Sequence, residues 1–319
     1  MIGEDKDANS APRTRILADE AAAGERLDRF VCAQFPALGR ASARRLIVAG
    51  DVRVNGRSAA AGQRLRSGDE VEVALAHSAS PVAAQPDAAA ALGVLYEDDS
   101  VVCVDKPAGM PAHPLRPGER GTLVSALLAR YPELAQVGYS PREPGIVHRL
   151  DTDTSGVMLA ARDAQSFAAL RAQLERAEID KRYLALSAGS PAAPAVHEAW
   201  LSARGRRVSV RAAPFASAQR VQTELLHAWR AGDHTLLSVR VHVARRHQIR
   251  AHLAALGHPI AGDRVYGGAT VPGLHRHFLH ASELHFTHPR TGERVSVRAP
   301  LPAELQSVLA GLGLHERPA

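Results

Sequence analysis

His148-Arg149-Leu150-Asp151-Thr152-Asp153-Thr154-Ser155-Gly156 sets a carboxylate in a polar turn between two apolar runs, Ile146-Val147 before it and Val157-Met158-Leu159-Ala160-Ala161 after it. Short apolar runs bounded by turn formers predict buried strands on both flanks. Thr154, Ser155 and Gly156 are turn residues whose side chains, or free φ, satisfy local backbone groups and so hold the loop in one shape. Asp151 is then a charge fixed at the mouth of a sheet. Taken alone, Asp151 and Asp153 also fit ordinary turn aspartates, so the reading depends on what the rest of the chain brings to them.

Working outward, the 319 residues, 45% hydrophobic and 23% charged, allow one large domain and a small one with no need of staples. No apolar run approaches the roughly 20 residues that span a bilayer. Residues 1–15 are polar, with Glu4, Asp5 and Asp7, unlike a secretory signal. A cytoplasmic protein without a membrane partner is expected. Cys32 and Cys103 stand apart in apolar surroundings, which predicts buried free thiols. The formal charge of +6 points to a polyanion, and its distribution is uneven. Between residues 40 and 66, seven arginines (Arg40, Arg44, Arg45, Arg53, Arg57, Arg64 and Arg66) oppose Asp51 alone, an excess as large as that of the whole chain.

Residues 1–14 read as a disordered tail. Residues 15–76 read as a compact unit. Leu27, Phe30 and Val31 fall at helical spacing, and Ser42 caps a second helix through Leu46, Ile47 and Val48 that stops at Gly50. Val52 and Val54 lead to an Asn55-Gly56 hairpin turn, and residues 70–75 alternate as a half-buried strand does. Residues 77–92, rich in Ala, Ser and Pro, read as a linker. A larger domain then runs over residues 93–312. Strands are predicted at 94–97, 101–104, 181–186, 221–228, 235–243 and 294–297, with helices capped by Thr122 and Asp163 and a last helix over 303–312. His242, His247, His252 and His258 do not share a helical face as metal-binding pairs do, so no metal site is expected.

Four strings in this domain resemble one family. Residues 148–156 match His-Arg-Leu-Asp-x-x-Thr-Ser-Gly at every specified position, and Lys106-Pro107-Ala108-Gly109 matches Lys-Pro-x-Gly. Lys181-Arg182-Tyr183 matches Lys-x-Tyr, and Arg245-Arg246-His247-Gln248-Ile249-Arg250-Ala251-His252 is close to Arg-Thr-His-Gln-Ile-Arg-x-His. Together they are similar to the RluA-type pseudouridine synthases, with Ala244 where a Gly is usual and Arg246 where a Thr is usual. Residues 256–263 and 279–289 continue the likeness. The first unit, through Gly24-Glu25-Arg26-Leu27-Asp28 and Gly50-Asp51-Val52-Arg53-Val54-Asn55-Gly56, resembles an S4 RNA-binding domain. The resemblance covers residues 15–310.

The resemblance implies an α+β fold: a small S4-like domain, then a catalytic domain around a bent, mostly antiparallel mixed sheet flanked by helices and loops. It implies an enzyme that isomerises uridine in RNA to pseudouridine. Asp151 either attacks C1′ of the ribose or takes a proton from C2′, and the sequence does not choose. Arg250 pairs with it and holds it ionised. Tyr183 lies on the uracil face and accepts the C5 proton. No metal, nucleotide or other cofactor is implied. Contacts to RNA are expected from Arg40, Arg44, Arg45, Arg53 and Arg57 in the first unit, and from Lys106, His148, Arg149, Lys181, Arg245 and His247 around the site. For Lys106, bracing the active-site floor is the alternative to a phosphate contact. Large-subunit, 23S-type rRNA is the expected substrate and a monomer the expected state. A tRNA-directed synthase, an inactive rRNA-binding assembly factor and a glycoside hydrolase using Asp151 and Asp153 remain the other readings.

Overall fold

The computed structural model describes residues 13–35, 40–74, 82–203, 207–215 and 218–314, excluding the side chains of residues 40–42, 45 and 49. The chain divides into two compact units, Met1–Pro81 and Val82–Ala319.

The first unit has strands β1 (Arg13–Leu17), β2 (Val52–Val54), β3 (Arg57–Ser58) and β4 (Glu70–Ala74) in the antiparallel order β1-β4-β2-β3. Helix α1 (Leu27–Gln34) buries Leu27, Phe30 and Val31, the i, i+3, i+4 set, and α2 (Arg40–Ala49) adds Ala43 and Ile47 to the same core. The β2–β3 hairpin turns at Asn55 and Gly56, with φ of 51° and 74°, the geometry for which Asn-Gly is favoured. Two expectations change. Arg13 and Thr14, assigned to the tail, pair with Ala74 and Val73, while residues 1–12 lie outside the described residues. Ser42 sits inside α2 instead of capping it, because the helix already begins at Arg40.

The second unit is a ten-stranded mixed sheet. Its strands are β5 (Gly93–Glu97), β6 (Val101–Lys106), β7 (Ser155–Ala161), β8 (Asp180–Ala188), β9 (Ala195–Ser202), β10 (Ser209–Arg211), β11 (Gln219–Ala231), β12 (His234–Val241), β13 (Leu279–Thr287) and β14 (Arg294–Arg298). They run in the order β10-β9-β11-β12-β8-β13-β7-β6-β5, with β14 on β13. Every pairing is antiparallel except β7 with β13. Helices α3 (Leu123–Arg130), α4 (Ala164–Glu175), α5 (Gln248–Ala255) and α6 (Ala303–Gly311) complete the unit. Thr122 and Asp163 cap α3 and α4 through their side-chain oxygens, as their positions predict.

Residues 82–92, assigned to the linker, are held to this unit. Ala84 donates its amide to the Pro141 carbonyl and Asp87 to that of Ser125, and the Asp87 carboxylate accepts the Gly121 amide. Short apolar residues there, Ala84 and Leu92, pack on the main core. Residues 75–81 lie outside the described residues.

β13 is the hub and was not predicted as a strand. β8 lies along one edge, and the other edge is divided between β7 at His280–Ala281 and β14 at residues 283–287. Its alternation is obscured because His280 and Glu283 are buried among the apolar residues. The predicted strand at Ile146-Val147 is only a single bridge from Ile146 to Ala160. β7, by contrast, is buried at every residue and already includes Ser155 and Gly156.

Candidate active site

The loop of residues 147–154 hangs between that bridge and β7, and its backbone carbonyls are tied down from three directions. Lys106 ends β6 and donates to the carbonyls of Pro107 at 2.9 Å, Met110 at 2.8 Å and Thr152 at 3.0 Å. Arg276 donates to the Asp153 carbonyl at 3.0 Å and to the Ser155 hydroxyl at 3.0 Å, and its Nε faces Glu304 of α6. The Thr154 hydroxyl bonds His277, and the Asp151 carbonyl accepts the Thr154 amide at 3.1 Å. Gly156 has φ of 118°, and a Cβ there would collide with the Ala281 carbonyl. Only glycine lets β7 come this close to β13.

Asp151 emerges from this scaffold with its side chain partly exposed. Arg250, on the first turn of α5, donates to Asp151 Oδ2 from Nη1 at 2.8 Å. The rest of the guanidinium is held by Asp263, through Nε at 2.6 Å and Nη2 at 2.9 Å, a two-pronged pair that sets its plane. Asp263 is fully buried, and its Oδ1 also accepts the amides of Val265 and Tyr266. Burial opposes its charge, while Arg250 and these amides together hold its carboxyl below the usual carboxylate range. Arg250 further lies 5.4 Å from the Tyr266 ring centroid. Asp263 and Tyr266 were not predicted as site residues. Asp263 stands in the string 256–263, but a carboxylate's partner across space leaves no mark in its neighbours.

His247, at the N-cap position before α5, is a left-handed residue with φ of 53°, and its ring lies 3.8 Å from Asp151 Oδ2 and is hydrogen-bonded to the Tyr266 hydroxyl at 3.0 Å. Burial lowers the His247 pKa. Gln248 closes the turn by accepting the Arg245 amide and donating to the Gln222 carbonyl and Thr223 hydroxyl. Ala244 and Arg246, the two departures from the usual pattern, flank this turn without breaking it. Tyr183 comes from the centre of β8, between Val239 and Ala281 in register. It is 4% exposed, and burial with the nearby Asp151 raises its hydroxyl well above the ordinary value.

Asp151, Tyr183, His247 and Arg250 line one pocket of about 370 Å³, with Leu150 and Leu279 supplying apolar wall. A groove of about 1720 Å³ runs from the same Asp151 and includes Arg149, Arg171, Arg245 and Arg246. Arg149 is exposed at the rim, where Nη1 donates to His113 Nε2 at 2.9 Å and lies 3.6 Å from Glu143. Arg245 is exposed too.

Two residues expected to touch RNA, Lys106 and Lys181, are instead structural. Lys106 is 0% exposed, so it braces the loop and meets no phosphate. Lys181 is 2% exposed and donates to the His242 carbonyl. His148 lines the groove half-buried; its ring accepts the Leu159 amide at 3.1 Å, and desolvation pulls its pKa down to about 3, so any RNA contact it makes is as a neutral ring. In the first unit, Arg53 and Arg57 are exposed beside the hairpin turn. Arg44 is exposed but its Nε is 2.9 Å from buried Asp28, which it shares with Arg26. The side chains of Arg40 and Arg45 lie outside the described residues. Four further histidines are held in tertiary hydrogen bonds: His252 to Thr223, His258 to the Ala188 carbonyl, His280 to Ser155 and His288 to Asp98.

Asp151, Arg250 and Tyr183 thus converge in one pocket of a mixed, mostly antiparallel sheet, and comparison with known proteins shows the family. The profile of the RNA pseudouridylate synthase family matches residues 100–255, and that of the S4 domain matches residues 25–71. The chain is 39% identical over 261 residues to ribosomal large subunit pseudouridine synthase D of Xanthomonas campestris, covering 82% of this chain and 76% of that one. It is 41% identical over 245 residues to an RNA pseudouridine synthase of Chloroflexus aurantiacus, covering 76% and 75%. Human RNA pseudouridylate synthase domain containing 4 shares the fold at a TM-score of 0.57 and 22% identity, over 71% of this chain and 95% of that one. The chain belongs to the RNA pseudouridine synthase family and carries an S4 domain.

Proposed function

We propose that Asp151 is the carboxylate on which uridine isomerisation turns, that Arg250 orients it, that Tyr183 holds the detached uracil, and that large-subunit ribosomal RNA is the substrate. The observation that carries the reading is the chain of contacts Asp151–Arg250–Asp263 in a pocket shared with Tyr183. Isomerisation breaks the N1–C1′ bond, turns the base, joins C5 to C1′, and moves a proton from C5 to N1. The atoms balance without a co-reactant. A single carboxylate beside C1′ is enough, since the leaving group stays in the pocket and no water has to be activated, unlike the two-carboxylate glycosidase arrangement. A preset Arg250 contact gives the carboxylate one direction before the base arrives.

Tyr183 offers its ring to the uracil face, a contact worth about 1 to 3 kcal/mol. Burial and the nearby Asp151 keep its hydroxyl protonated, so as acceptor of the C5 proton it gives up its own, and N1 takes one up to close the proton balance. A uridine in folded RNA reaches such a pocket by flipping out of the stack, which costs a few kcal/mol. Arg149 at the rim, Arg245 in the groove, and Arg53 and Arg57 of the S4 domain supply phosphate contacts. The large-subunit assignment is supported by the names of the Xanthomonas campestris relative and of the Salmonella typhimurium one at 31% identity. We infer a cytoplasmic monomer: ribosomal RNA is the proposed substrate, and Asp151, Tyr183, His247 and Arg250 come together within a single chain.

The test is purified protein incubated with RNA from cells lacking the gene, followed by pseudouridine mapping. The wild type is expected to restore pseudouridine at defined large-subunit positions, and Asp151→Asn to restore none while binding the RNA within a few-fold of wild type. Modification by the Asn variant ends the catalytic assignment; pseudouridine appearing only in tRNA ends the substrate assignment.

A further inference from the structure

The groove that opens from Asp151 has one wall unrelated to the catalytic pocket. α4 presents Phe167, Arg171 and Leu174 to it, the i, i+4, i+7 face of the helix. Tyr139, from the loop after the short 3₁₀ turn of Pro132–Gln136, stands edge-on to Phe167, with ring centroids 5.0 Å apart and planes at 88°. Phe167 is buried behind it, while Tyr139 is 48% exposed and lines the groove. Gly138, beside the Phe167 ring, has a φ of 103°, a backbone conformation that suits glycine. The tyrosine is therefore buttressed from behind and open in front.

The surroundings are cationic. Arg149, Arg171, Arg220, Arg245 and Arg246 line the groove, against Glu143 and Glu175 beyond Asp151 itself. Arg149 leans on Glu143, and Arg220 is paired at 2.6 Å with Glu198 outside the groove. Arg171 is different: Nη1 donates to the Val147 carbonyl at 3.1 Å, while its buried Nε has no hydrogen-bond partner. Val147 stands four residues before Asp151, a stretch of chain that spans at most about 14 Å. Phe167 and Arg171 are one helical turn apart, about 6 Å. The aromatic wall therefore adjoins the loop that carries Asp151.

We propose that Tyr139 is a stacking seat for a second unpaired base of the RNA, one that flanks the uridine in the Asp151 pocket, with its backbone running past Arg171. A rigidly backed aromatic face in a positively lined groove continuous with the reactive pocket fits a nucleobase and its phosphate. An acidic peptide would match the charge but leave the flat ring without its complement. The consequence is a selection rule: the enzyme takes a uridine whose neighbour can also leave its stack. The inference rests on the isomerase reading above.

The test uses the full chain and total RNA from cells lacking the gene. Tyr139→Leu is expected to raise the apparent KM about tenfold, as loss of one stacked base does, with kcat within twofold. Tyr139→Phe, which keeps the ring, should match wild type in both. An unchanged KM in the Leu variant overturns the seat, as does a kcat loss with no KM change. Photocrosslinking through p-azidophenylalanine at position 139 should label a nucleotide flanking the modified uridine, and scattered or absent crosslinks overturn it. If the wild type forms no pseudouridine in this RNA, the isomerase reading fails. The seat is then judged by equilibrium binding of the same RNA, which Tyr139→Leu must still weaken about tenfold.

Discussion

At Arg250 the guanidinium is divided between two carboxylates of different standing. Asp263 takes two of its nitrogens in full burial, and Asp151 takes the third at the pocket edge. Removing the arginine strands Asp263 as a buried charge, and breaking a buried pair from one side costs about 3 to 5 kcal/mol. Arg250→Ala should therefore lower unfolding free energy in urea by that amount as well as abolish turnover. Asp263→Asn keeps the volume and loses one prong of the pair, letting the guanidinium tilt. Its expected effect is a fall in kcat of about 100-fold, the scale of an ångström-level misplacement, with RNA binding unchanged. A kcat equal to wild type would mean that Arg250 is oriented without Asp263. Arg250 and Asp151 were legible as members of two sequence strings; Asp263 ends a third, but its role was not legible, because it acts by holding another side chain.

At the level of elements, the loop carrying Asp151 is positioned by the parallel contact of β7 with β13, and that contact needs Gly156. Gly156→Ala forces a Cβ into the Ala281 backbone at a positive φ, combining steric overlap with backbone strain, each costing about 1 to 3 kcal/mol. A loss of about 3 kcal/mol or more in stability is expected by urea titration, with activity falling further than the unfolded fraction explains because Asp151 moves. A soluble variant with native stability would show that the two strands can separate there. The strands flanked by turn signals, such as β5, β6 and β12, were legible from periodicity. β13 was not, since Glu283 and His280 read as surface residues until their partners Arg182, Arg298 and Ser155 are brought to them.

Across the whole molecule, two charge patterns make separate predictions. Arg53 and Arg57 are exposed on the S4 domain. If each meets a phosphate, Arg53→Ala with Arg57→Ala should weaken RNA binding and reduce the slope of log K against log salt by about 0.7 to 0.9 per contact. An unchanged slope places the RNA elsewhere. The second pattern lies in the catalytic unit, where burial lowers His252, His277 and His280 to about 4 and His148 to about 3. Between these values and the ordinary value near 6.5 the unfolded chain binds more protons than the folded one, so stability is complete above pH 6.5 and falls as pH drops toward 4. Unfolding free energies measured from pH 7.5 to 4.5 should decline steeply over that window. A flat profile would mean that these histidines are protonated in the folded state.

The sequence by itself determined the class of chemistry and the domain order, because motif spacing, turn residues and the arginine excess of residues 40–66 are local properties of the chain. Only the tertiary structure decided which charges reach solvent and which partners they meet. Lys106 and Lys181 stand in strings that read as RNA-facing, yet each is spent on backbone groups in the interior. Asp151 and Arg250 are 99 positions apart, and their contact exists because the fold brings the loop before β7 to the first turn of α5. Burial and pairing over that separation are set by the folded core, which a linear pattern of residues does not encode position by position.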